Sequence, residues 1–174
     1  MSLATLEPPQ AVVADPVLTK AVADGVKACL TMCGVDARCV GLSAVPASDR
    51  GSVTGMIGVH GEVSGFITVN LAEKAAFSLV GGLLQEQFDG LTDQVIDGVG
   101  EITNIIAGGI KKGLAGSAWS FGHVTVPSVI VGQHYHIAYS KGLEYVSVTF
   151  EQQDVESVIL DDRLLEVAIS LIRL

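Results

Sequence analysis

Between Val53 and Val69 the side chains alternate with a period of two. Val53, Gly55, Ile57 and Val59 are interleaved with Thr54, Met56, Gly58 and His60, and after a short break at Gly61 the series resumes with Val63, Gly65, Ile67 and Val69. Period-two alternation on both sides of a tight break predicts an antiparallel hairpin with its odd-numbered residues toward a core. A sheet with one apolar face must bury that face against something. Gly55 and Gly65, inside the strands, predict that another element approaches closely there.

The covering elements are legible as helices. Asp15-Pro16 reads as an N-cap followed by proline in the first turn, opening a helix that runs to about Met32 and stops at Gly34. Residues 72–86 read as a second helix, weakened by Gly81-Gly82. Thr92 and Asp93 open a third, which continues to about Leu114, before Gly116. Strand-like segments follow at 121–131, 134–139, 144–150 and 164–172, the last with Leu165, Val167, Ile169 and Leu171 on its buried face. Residues 1–14 contain Pro8-Pro9 and no periodicity, and read as a loose tail. Residues 15–174 read as one α+β domain, an antiparallel β-sheet with helices packed on one face.

Composition narrows the function classes. Apolar residues make up 49% of the chain and charged ones 17%, which is a globular and not a disordered balance. The net charge of −9 argues against nucleic acid and anionic membranes, and suits a protein partner that presents a basic residue. The longest apolar stretch, residues 75–84, is too short to span a bilayer. The N-terminus shows no basic start and no apolar leader, so the expected location is cytoplasmic. Cys29, Cys33 and Cys39 form no disulfide framework and are expected to be reduced.

The third helix concentrates the chemistry. At roughly 100° per residue, Val95, Val99, Ile102, Ile106 and Ile110 form one stripe, which predicts the core face. Asp97, Glu101, Asn104, Gly108 and Lys111 lie on nearly the opposite side. Asp97 and Glu101 are four residues apart and Glu101 and Asn104 three, so their side chains are neighbours. A carboxylate and a carboxamide are displayed together, with Gly108 keeping the surface low beside them. Any amphipathic helix has a polar stripe, so spacing alone does not separate a site from a solvated face.

Asp97, Glu101, Asn104 and Pro127 match a signature of Asp or Ser, three residues, Glu, two residues, Asn, 22 residues and Pro. With the hairpin GVHGEVSGFITVNL, the helix AEKAAFSLVGGLL, and the runs GEITNIIAGGIKKGL and VPSVIVG, the chain resembles the CheC/CheX/FliY chemotaxis phosphatases, and the CheX branch most. The resemblance implies hydrolysis of the aspartyl phosphate of a CheY-like receiver domain. Asn104 would orient the attacking water and Glu101 would pair with the receiver's active-site lysine. The role of Asp97 stays open, since the family permits Ser there, and Pro127 would be architectural. Gly108 and Lys111 would lie on the partner-docking surface. The Mg2+ that screens phosphoryl charge would belong to the receiver, so no cofactor of the chain's own is implied. A single Glu-x-x-Asn, with none in the first helix, points to the CheX branch and so to a homodimer. The alternative is a receiver-binding or flagellar-switch-like module without catalysis.

Other patterns are weaker. Cys29 and Cys33 lie a helical turn apart without partner ligands and read as buried thiols. His134 and His136 would share a face if 134–139 is a strand, without an evident third ligand. His60 and His123 have no partner visible in the sequence. No G-x-S-x-G elbow, P-loop or dinucleotide fingerprint occurs.

Overall fold

The computed structural model describes residues 13–46, 51–133 and 135–174. The expected tail at residues 1–14 lies almost wholly outside them. Helix α1 spans Pro16–Cys33, α2 spans Glu73–Leu84 and α3 spans Asp93–Leu114. The strands are β1 (Ala37–Ser43), β2 (Val53–Gly61), β3 (Val63–Leu71), β4 (Phe121–Val124), β5 (Ser128–Val131), β6 (Glu144–Gln152) and β7 (Leu164–Arg173).

Helix α1 starts where the Asp15 carboxylate accepts hydrogen bonds from the amides of Val17 (2.8 Å) and Leu18 (3.1 Å). The same carboxylate accepts from the Trp119 indole at 2.9 Å, so one side chain caps the helix and ties it to the segment before β4. Burial pushes the Asp15 carboxyl up, but the Leu18 amide, the Trp119 indole, the Val17 amide and the charge of Arg173 together hold it below its ordinary value. The helix ends at Gly34, whose φ of 66° is left-handed and favours glycine.

All strand pairings in the sheet are antiparallel, and the order is β1-β6-β7-β3-β2-β4, with β5 also paired to β2. The helices lie on one face. Their apolar stripes meet the odd-numbered residues of β2, β3 and β7 in one cluster that runs from Leu18 to Leu171. Val53, Ile57, Val59, Val63, Ile67 and Val69 are all fully buried, as the alternation requires. Leu165, Val167, Ile169 and Leu171 are fully buried too. Gly55 is the point of closest approach. A Cβ there would collide with Thr103 of α3, whose own hydroxyl is buried and donates to the Val99 carbonyl at 2.7 Å.

Several expectations are corrected. Strand β1 is missing from the sequence reading because its residues are largely exposed at the sheet edge and carry no burial alternation. The expected strand at 121–131 is two pieces, and 135–139 is not a strand at all, while His134 lies outside the described residues. The face-sharing argument for His136 therefore lapses. The second face of the sheet is also less open than alternation implies, for Thr54, Thr68, Asn70, Ser147 and Ser170 are buried. Residues after β5 fold over this face: the Tyr135 hydroxyl bonds the Thr54 hydroxyl, and Tyr139 sets its ring edge to face against Tyr145. Thr54 in turn donates to Asn70 at 2.7 Å, so Tyr135, Thr54 and Asn70 form one hydrogen-bonded set across this face.

The edge strand β1 is held by charge. Arg38 donates to Glu151 of β6 from Nε at 2.9 Å and from Nη2 at 2.7 Å, and Arg163 approaches the other oxygen at 2.8 Å. The Arg38 hydrogen bonds hold the Glu151 carboxyl below its ordinary 4.5 against the upward push of burial, with both guanidinium charges adding. A depressed carboxyl contributes stability above its unfolded value and loses it as the pH falls through the folded one. The stability margin of the native chain over Glu151→Gln is expected to be full near neutrality and to shrink below about pH 4.5. Urea midpoints of both chains across roughly pH 3 to 7 check this; a margin that stays flat on acidification would contradict it.

Candidate functional site

Helix α3 is a rigid platform. The Thr92 hydroxyl caps it by accepting from the Val95 amide at 3.3 Å, Asp93 lies in its first turn, and Lys111 and Lys112 lie in its last. These charges complement the helix dipole at both ends. Val95, Val99, Ile102, Ile106 and Ile110 are fully buried against α1, α2 and the sheet. Asp97, Glu101, Asn104, Gly108 and Lys111 are all exposed. The helical geometry therefore brings Asp97, Glu101 and Asn104 to one surface. Among the described residues, none of the three makes a side-chain hydrogen bond or ion pair within the chain, so their polar groups are available to a partner.

Gly108 is exposed, and among the described residues nothing lies within 4 Å of where a Cβ would stand. Lys111 is exposed but engaged: its ammonium donates to the Gly122 carbonyl at 2.5 Å and straps α3 to β4.

Pro127 reaches the same surface through the sheet. Strand β4 pairs with β2 at Val59↔Val124 and His60↔His123, and β5 pairs at Met56↔Ser128 and Gly55↔Val129. Thr125 bonds Gly58 in both directions, its amide donating to the Gly58 carbonyl at 2.9 Å and its hydroxyl accepting from the Gly58 amide at 2.8 Å. Val126 and Pro127 are thus left opposite the single residue Ile57, which is a β-bulge. Proline, lacking an N–H, is tolerated at such a position on an edge strand. This bulge is what divides the expected strand at 121–131. Gly100 faces it with room to spare, a Cβ there lying 3.7 Å from Val129 and 4.0 Å from Pro127.

The result is an open groove of about 560 Å³ between α3 and the bulge. One wall carries Asp97, Glu101 and Asn104; the other carries Thr125, Val126 and Pro127. All four signature positions line it, although Pro127 is 23 residues beyond Asn104 in the chain. Thr125 and Val126 were not singled out from the sequence. The signal available was the Val126-Pro127 dipeptide, whose proline forbids a regular interior strand.

A model of the chemotaxis phosphatase CheX family matches residues 53–151, more than half of the chain, and spans the hairpin, α3 and the bulge. The chain belongs to the chemotaxis phosphatase CheX family. No curated protein matches it significantly. Among solved structures, the chemotaxis protein CheX of Vibrio vulnificus is similar over 91% of this chain and all of that one, at 24% identity and a TM-score of 0.76. A CheX chemotaxis protein of Desulfovibrio desulfuricans gives 21% identity and a TM-score of 0.74, over 91% of this chain and all of that one. A chain of the CheX–CheY–BeF3–Mg2+ complex of Borrelia burgdorferi gives 24% identity and a TM-score of 0.71, over 88% and 97%. These likenesses establish the shared fold.

The remaining candidates take simple places. Cys29 and Cys33 are buried within the helical layer, and the Cys33 thiol and burial both push the Cys29 thiol upward, which keeps it protonated. His60 and His123 are cross-strand neighbours on the sheet face away from the helices, a pairing the sequence did not reveal. Among the described residues no cluster of three or more His, Cys, Asp or Glu is placed to hold a metal, and no helix is long and apolar enough to cross a membrane.

Proposed function

We propose that this chain hydrolyses the aspartyl phosphate of a CheY-like receiver domain, with the α3 groove as its active surface. The carrying observation is the pair Glu101 and Asn104, exposed and, among the described residues, without intramolecular partners, on a helix whose opposite face is fully buried. An acyl phosphate is already reactive, so catalysis consists mainly of holding a water in line with the P–O bond that breaks. The Asn104 carboxamide can accept a hydrogen bond from that water through its oxygen and donate through its nitrogen. Water oxygen joins phosphorus, the aspartate leaves as carboxylate, and inorganic phosphate is released. Glu101 pairs with the receiver's lysine and sets the register of docking. Asp97, one turn away, adds negative charge to the same wall. Mg2+ is held by the receiver, which supplies the charge screening. The family and the Borrelia burgdorferi CheX–CheY–BeF3–Mg2+ complex support this reading.

We infer a cytoplasmic location from this reading, because the receiver domains that the reaction needs work there. Among the described residues the sheet's two edges, β1 and β4–β5, have no further strand paired to them, and the CheX resemblance supports homodimerisation through sheet joining. Sedimentation analysis reads that state directly.

The test is the decay of phosphorylated receiver with and without the chain. Acceleration that saturates with chain concentration is expected; decay unchanged across the receivers of the same organism would remove the reading. Glu101→Gln keeps the shape and removes the charge. It is expected to raise the half-saturating concentration about tenfold, and most strongly at low salt, because a charge-assisted contact to lysine is lost.

A further inference from the structure

The two walls of the groove differ in chemistry. The α3 wall presents Asp97, Glu101 and Asn104, while the bulge presents Val126 and Pro127. Among the described residues no lysine, arginine or histidine lines the groove. Val126 is 85% exposed, among the most exposed large apolar side chains of the described residues. A lone exposed valine is ordinary, but this one is held in place from both sides. Thr125 before it is fastened to Gly58 by two hydrogen bonds, and Pro127 after it packs toward Gly100 and restricts Val126 to an extended backbone. Its own β-branch limits χ1. In the bulge Val126 shares Ile57 with Pro127 and gains no ladder partner of its own, and its side chain is left to solvent among the described residues.

We infer that Val126 is a docking residue for the receiver, an apolar knob that seats against an aliphatic or aromatic side chain next to the lysine paired with Glu101. The inference rests on the phosphatase reading above and specifies the partner's surface. The groove accepts an element that shows an ammonium group on one side and an apolar side chain on the other. A preorganised knob loses little entropy on binding, so its area converts efficiently into affinity. The Val126 side chain carries no polar group and does not take part in the chemical step; its effect is on docking and on which receivers are accepted.

The experiment uses full-length chain carrying Val126→Asp, Val126→Ala or Val126→Ile, assayed by single-turnover decay of phosphorylated receiver against chain concentration. Binding to receiver loaded with beryllofluoride and Mg2+ is measured in parallel. Val126→Ala is expected to raise the half-saturating concentration about fivefold and Val126→Asp more than about tenfold, each with the saturating rate unchanged. Val126→Ile should stay within about twofold of the native chain. Thermal midpoints should not move, since the side chain is exposed. Native affinity in Val126→Asp, or a lowered saturating rate at native affinity, would overturn the inference and leave the phosphatase reading standing. A native chain that neither binds the loaded receiver nor accelerates decay removes both together.

Discussion

Asn104→Ala is expected to lower the saturating rate of receiver dephosphorylation by at least about 100-fold. Nothing in the fold depends on the Asn104 side chain, which is exposed and has no partner among the described residues. Alanine is moreover the better helix former, by a few tenths of a kcal/mol or about that. The variant should therefore melt no lower than the native chain and should still bind beryllofluoride-loaded receiver through Glu101. Loss of rate with binding and stability retained is the signature of a group that orients the attacking water. Asn104→Asp is expected to fail as well, because a second carboxylate oxygen replaces the N–H donor and faces the phosphoryl oxygens. Near-native turnover in Asn104→Ala would show that water is positioned by the receiver or by another residue of the groove.

Gly55→Val is expected to destabilise the chain by about 3 kcal/mol, lowering the thermal midpoint by roughly 6–12 °C. The sign is the informative part. Valine is strongly favoured in strands and glycine is not, so local preference alone predicts a gain of up to about 1 kcal/mol. Packing opposes it. A Cβ on Gly55 would stand 2.9 Å from the Cβ of Thr103, and rotation about χ1 of Thr103 does not move that atom. Either β2 or α3 has to shift. Thr103 lies between Glu101 and Asn104 in the chain, so a shifted α3 also displaces the groove from Pro127 and Val126. Circular dichroism melts, with the fluorescence of Trp119 as the chain's single tryptophan, read the stability. An unchanged or raised midpoint would show that α3 does not sit on Gly55 as described.

Much of the architecture was legible because burial was regular. The hairpin of β2 and β3, the buried face of β7 and all three helices follow from periods of two or 3.6, reinforced by the Asp15 cap and the Gly34 stop. What escaped lacks such regularity. Strand β1 is an exposed edge fastened by Arg38 and Glu151, a contact 113 residues apart in sequence. The segment 135–139 is rich in residues that suit strands but pairs with no strand among the described residues, and its tyrosines serve as a cover for the polar face instead. Intrinsic preference could not tell a strand from a cover, because the difference lies in the neighbours.

The alternation at Val53–Val69, taken by itself, determined that this chain builds an antiparallel hairpin with one apolar face, since successive side chains of a strand point to opposite sides. The polar stripe of α3 likewise followed from helical geometry within one short segment, so Glu101 and Asn104 were neighbours before any tertiary contact was known. Only the folded chain decided what stands across from them. The bulge at Val126-Pro127 arises from the pairing of β4 and β5 with β2, a relation between distant segments whose register no local pattern encodes. That register places an apolar wall opposite the polar one and turns a solvated helix face into a two-sided groove.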